Sequence, residues 1–91
     1  MIRQVDKSLF NIPLSSHPER HSELMWYATE DDTILGVVIL DLADKDYSWV
    51  VLTENDQGPG FTAMDIGASL LSEDDATAAL HDAMRSISGK S

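Results

Sequence analysis

The chain has 91 residues, an apolar fraction of 43%, no cysteine and a formal charge of −10 at pH 7. Such a length supports one domain, and the apolar content with two tryptophans indicates a folded globule rather than a disordered tail. Without cysteine there are no disulfides, thiolate nucleophiles or zinc-thiolate sites, and the strong acidity disfavours direct binding to nucleic acid or to an anionic membrane.

Residues 1–23 are expected to form a helical arm. Ile2, Val5 and Leu9 fall at helical spacing, and Pro13 then interrupts the chain. Ser16-His17-Pro18-Glu19 has a Ser cap, Pro in the first turn and Glu three residues after the cap, so a second short helix is predicted to end near Glu23.

Residues 24–66 are expected to form a β-meander. Leu24-Met25-Trp26-Tyr27-Ala28 is bulky and aromatic, which favours a strand, and Glu30-Asp31-Asp32 makes a polar turn. The stretch 34–53 is read as two buried strands, 34–41 and 47–53, joined by the acidic turn Ala43-Asp44-Lys45-Asp46. The first is apolar on both faces; the second alternates Tyr47, Trp49 and Val51 against Ser48, Val50 and Leu52. Residues 54–60 carry loop chemistry, and 61–66 read as a fourth strand. Short successive connections favour antiparallel pairing.

The last element is predicted over 72–87. Ser72 caps it, Glu73, Asp74 and Asp75 complement the positive end of the helix dipole, and Ala76, Ala79, Leu80, Ala83, Met84 and Ile87 form one apolar stripe. Arg85 sits near its end and Gly89 just beyond. The predicted fold is α+β: a four-stranded antiparallel meander with a C-terminal amphipathic helix on one face and a short helical N-terminal segment. Because strand 34–41 is apolar on both faces, residues 1–23 are expected to cover the second face, with homodimerisation as the alternative.

The charge is segregated. Residues 30–75 hold twelve acids (Glu30, Asp31, Asp32, Asp41, Asp44, Asp46, Glu54, Asp56, Asp65, Glu73, Asp74 and Asp75) against Lys45 alone, a net of −11. In a meander, Glu30, Asp31, Asp32, Glu54 and Asp56 fall at one end of the sheet. Asp44, Asp46, Glu73, Asp74 and Asp75 fall at the other. Two carboxylate clusters on a rigid scaffold are suited to a basic surface that normally holds phosphate. Acids at turns and helix starts are also ordinary turn and cap chemistry, so the expectation rests on their segregation.

Other candidate sites are weaker. His17 and His21 have the i, i+4 spacing of two-histidine metal sites, but the Pro-Glu-Arg between them does not suit one, and His81 reads as a solvated residue on the helix flank. Glu54, Asp56 and Gly58 lack the third acidic ligand and closing Glu of a calcium loop. Gly58-Pro59-Gly60 lacks the spacing and Lys of a phosphate loop, and no serine sits in a nucleophile-elbow context. Asp41 and Asp65 fall in strand patterns, where a water-facing strand end is the simpler role than acid–base pairing. Of Trp26, Tyr27, Tyr47 and Trp49, at least two are expected in the core, with the others free to anchor an interface. The expectation is a non-enzymatic protein with no cofactor and no metal. It has no signal-peptide pattern or membrane-spanning run and is expected to be cytoplasmic.

Leu24-Met25-Trp26-Tyr27, Leu35-Gly36-Val37-Val38 and Asp46-Tyr47-Ser48-Trp49-Val50-Val51-Leu52 together resemble small uncharacterised proteins of proteobacterial mobile elements and phages, over about residues 19–85. In size and acidity the chain is also similar to anti-CRISPR proteins. The first likeness is one of fold residues and carries no functional assignment; the second, with the carboxylate clusters, leads to the expectation of a stoichiometric inhibitor of a nucleic-acid-handling complex, acting by phosphate mimicry on a basic protein surface. The alternative is a structural or regulatory homodimer whose acidity serves solubility.

Overall fold

A computed structural model describes residues 2–6, 21–55 and 60–88. It is an α+β fold of five strands and one helix. The strands are β1 (Arg3–Val5), β2 (His21–Ala28), β3 (Ile34–Asp41), β4 (Tyr47–Glu54) and β5 (Phe61–Leu70), and the helix is α1 (Glu73–Ser88). The sheet is antiparallel in the order β1-β2-β3-β4-β5.

β3 is central, which accounts for its apolar character on both faces. Ile34 and Val38 lie in one buried cluster with Trp49, Val51 and the helix residues Ala76, Leu80 and Met84. Leu35 and Val37 lie in a second cluster with Trp26, Ala28 and Leu52. Gly36 faces the helix because an added Cβ there would come within 2.7 Å of both Leu80 Cδ1 and Met84 Sδ. The glycine therefore sets how closely α1 approaches the sheet. Ser72 begins α1 as expected: its Oγ accepts from the Asp75 N–H at 3.1 Å and its carbonyl from the Ala76 N–H at 3.1 Å.

Four strands and an N-terminal helix were expected, and the structure differs. Arg3–Val5 is an additional edge strand, with Val5 opposite Trp26 and Gln4 opposite Tyr27. Ile2 packs with the helix-side cluster and Val5 with the opposite one. A helix would have put both residues on one side. Three residues at helical spacing are too few to outweigh pairing with the open edge of β2. The helix predicted to end near Glu23 is also contradicted where it is described, since His21, Ser22 and Glu23 belong to β2. Its start at 16–20 lies outside the described residues.

β5 runs four residues beyond the expected end at Ile66. Gly67 and Ser69 suggest a turn, yet the strand continues through two bulges. Val51 opposes Asp65 and Leu52 opposes Ala63, so Met64 is an extra residue on β5. Trp49 opposes Gly67 and Tyr47 opposes Leu70, which leaves Ala68 and Ser69 against Ser48, with Ser69 at φ 62°. The second sheet face is buried at its centre, with Leu35 and Val37 fully covered, and Val5 packs against it. The rest of the arm expected to cover it, 7–20, lies outside the described residues.

Candidate protein-binding surface

The acids are distributed by the turns. At one end of the sheet, residues 29–33 connect β2 and β3, and the Glu54 N–H donates to the Thr33 carbonyl at 3.0 Å. Glu30, Asp31, Asp32 and Glu54 therefore share this end; Asp56 lies outside the described residues. At the other end, residues 42–46 connect β3 and β4, and Tyr47 pairs with Leu70 just before α1 begins. Asp44, Asp46, Glu73, Asp74 and Asp75 share that end. Strands of eight residues hold the two ends roughly 25 Å apart.

Several of these carboxylates also build their turns. Asp31 Oδ1 accepts from Thr33 Oγ1 at 2.8 Å, Thr29 Oγ1 at 2.9 Å and the Thr33 N–H at 3.2 Å. The Thr33 hydroxyl, then the Thr29 hydroxyl and the Thr33 amide, hold its carboxyl below the usual carboxylate range. Asp32 has φ 60° and pairs with Arg3, whose guanidinium also donates to the Thr29 carbonyl at 3.1 Å. Arg3 thus stitches β1 onto the first acidic turn, a role the sequence pattern did not reveal. In the second turn, Asp41 Oδ1 accepts from the N–H groups of Ala43 and Asp44 at 2.9 and 3.1 Å, and Lys45 takes φ 58°. Asp44, Glu54, Glu73, Asp74 and Asp75 present exposed side chains. Asp46 is half-buried and its carbonyl accepts from the Asp41 N–H at 2.9 Å.

Two of the four aromatic residues are in the core, as expected. Trp26 and Trp49 are buried in clusters on opposite sheet faces, while Tyr27 and Tyr47 are half-buried against the helix-side cluster. Among the described residues, the large apolar side chains open to solvent are Leu42, Met64, Ile66 and Leu71. Leu42 and Leu71 stand within the second acidic end, and Leu71 is 89% exposed. Met64 and Ile66 lie on β5, the edge strand whose residues 62–66 are all exposed. Sequence reasoning missed them because an alternation of Met, Asp and Ile reads the same for a covered strand as for an uncovered one.

The histidines also differ from expectation. His21 is a strand residue with Nε2 3.7 Å from Asp41 Oδ2, so it is not on a helix face; His17 lies outside the described residues. His81 is not a solvated flank. It meets the Tyr27 ring edge-on at 4.5 Å, and its Nε2 is buried without a hydrogen-bond partner. Burial, with a smaller contribution from Arg85, lowers its pKa against the opposing charge of Asp82.

Among the described residues no cluster of three His, Cys, Asp or Glu is placed to hold a metal ion, and no helix is long and apolar enough to cross a membrane. Open grooves lie among the described residues. One of about 560 Å³ runs along β1 and the start of β2, lined by Val5, Asp6, Glu23, Leu24, Met25 and Trp26. Another, of about 420 Å³, lies at the first acidic end, between Thr33, Ile34, Thr53, Glu54 and Asn55. No family model matches the chain, and comparison with curated proteins and with solved structures gives no match.

Proposed function

We propose that this chain is a small acidic binding module whose partner is a basic protein surface that ordinarily holds nucleic-acid phosphate. The observation carrying the proposal is the excess of twelve acids over one base within residues 30–75, of which Glu30, Asp31, Asp32 and Glu54 lie at one end of the sheet and Asp44, Asp46, Glu73, Asp74 and Asp75 at the other. Local hydrogen bonds hold Asp31 in a fixed ionised geometry, and the first helical turn projects Glu73, Asp74 and Asp75 into solvent. Preset carboxylates lose little side-chain entropy on meeting a row of Lys and Arg, which favours affinity as well as steering. Inhibition of a nucleic-acid-handling complex by occupying its phosphate groove is the functional form of this reading, and an anti-CRISPR role is its narrowest version.

Asp31 and Asp32 both shape their turn and are left intact in the test. Asp44→Asn, Glu54→Gln, Glu73→Gln and Asp74→Asn alter exposed carboxylates with little change in size. The tagged protein is used to capture partners from nuclease-treated lysate. The expected result is recovery of a basic nucleic-acid-binding protein by the wild type, reduced at least tenfold by the fourfold variant. Equal recovery by the two proteins, with the variant still folded, defeats the proposal.

A further inference from the structure

We propose that the outer edge of β5 is the acceptor for an extended segment of the partner, with a neutral, alternating apolar centre and basic residues at both ends. This rests on the basic-partner reading and specifies how such a partner docks. β5 is the longest strand and terminates the sheet. Its residues 62–66 are exposed, and Met64 and Ile66 are 60% and 64% open to solvent. It contains neither Lys nor Pro, and Asp65 is its one charge. Natural edge strands are blunted by Lys, Pro, other charges and bulges; β5 has one charge and two bulges but no Lys or Pro, and its open edge is a template for strand addition.

The charge around the edge selects the occupant. β5 starts opposite Glu54 and ends just before Glu73, Asp74 and Asp75. A segment laid along it therefore meets carboxylates at both ends and Asp65 in the middle. At present the Asp65 carboxylate accepts from the Ile66 N–H at 3.0 Å. An incoming carbonyl can take that amide, and the exposed carboxylate then turns to solvent. A second copy is the poorer occupant. Antiparallel pairing sets the Glu54 end of one copy beside the Glu73–Asp75 end of the other, and parallel pairing sets like ends together. The bulges at Met64 and at Ala68–Ser69 also require two irregular edges to match at once, whereas a flexible segment conforms to one.

The test uses two synthetic peptides with the full chain. One is Arg-Lys-Val-Thr-Val-Thr-Val-Thr-Lys-Arg; the other keeps the basic ends but replaces the centre with Pro-Gly repeats. Binding is measured by titration, and its location by amide hydrogen exchange. The strand-forming peptide is expected to bind at least tenfold tighter than the control and to slow exchange within residues 62–69. Ile66→Lys, a change at an exposed position, should abolish that difference. Equal binding of both peptides without protection of β5 overturns strand docking while leaving the basic-partner reading intact. No binding of either peptide at low salt counts against both. A wild-type dimer with protected β5 amides overturns this proposal in favour of self-pairing.

Discussion

Replacing Gly67 with alanine should unsettle the helix-side core from its edge. The indole of Trp49 lies across Gly67, and an added Cβ would fall 2.2 Å from Nε1, 2.3 Å from Cε2 and 2.6 Å from Cζ2. An indole is rigid, so the whole ring must move. Trp49 is itself buried in the cluster with Val38, Val51, Leu80 and Met84, which leaves it little room. Overpacking of this kind costs about 1–3 kcal/mol. For a domain of this size that corresponds to a fall in Tm of roughly 4–24 °C. Gly36→Ala provides the contrast. Its Cβ would also come within 2.7 Å of its neighbours, but those atoms are the flexible ends of Leu80 and Met84. Reduced entropy of the unfolded chain offsets part of that smaller cost, about 0.4–1 kcal/mol. Urea melts of both variants, repeated in a Trp49→Phe background, test the cause. Gly67→Ala should cost more than Gly36→Ala, and the smaller ring should relieve it. An equal cost of Gly67→Ala in both backgrounds would refute the clash.

Three further outcomes follow from other contacts. Leu80→Ala removes a fully buried side chain from the helix–sheet core and should cost about 2–5 kcal/mol by chemical denaturation; a loss below 1 kcal/mol contradicts that packing. Ser72→Ala removes the Oγ acceptor of the Asp75 N–H and should cost about 1 kcal/mol, a few degrees in Tm, with no effect expected if the helix began elsewhere. His81 has a lowered folded-state pKa because burial favours its neutral form. The unfolded chain binds the proton first, so the stability is complete above a histidine's ordinary 6.5 and declines as pH falls from there toward the folded value. His81→Leu should remove that decline from urea midpoints measured between pH 7.5 and 5.5; an unchanged slope would transfer the effect to another group.

The sequence made the elements with a complete local signal easy to read. Ser72, the three acids after it and the six-residue apolar stripe all specify α1, and both faces of β3 specify a central strand. β1 was illegible because Ile2 and Val5 fall at helical spacing, and the pairing that overrides it lies in β2, more than twenty residues away. The end of β5 was missed because bulges accommodate Gly67 and Ser69, which otherwise favour turns. The two acidic ends follow from turn order alone, so their grouping was legible. The structural duties of Asp31 and Asp32 were not, because they depend on Thr29, Thr33 and Arg3 reaching the same turn. Nor was the edge-on contact of His81 with Tyr27, a residue of another element.

The central claim is that segregated carboxylates, rather than apolar area alone, drive association. Its most direct measurement is the affinity of the purified chain for its captured basic partner across a salt series, for wild type and for the Asp44→Asn, Glu54→Gln, Glu73→Gln, Asp74→Asn variant. The expected result is wild-type affinity that falls steadily as salt rises, with a shallower dependence for the variant, because exposed charge pairs are screened within about 10 Å at 0.1 M. A salt-independent affinity shared by both proteins would contradict the account and make the acidic ends a matter of turn construction.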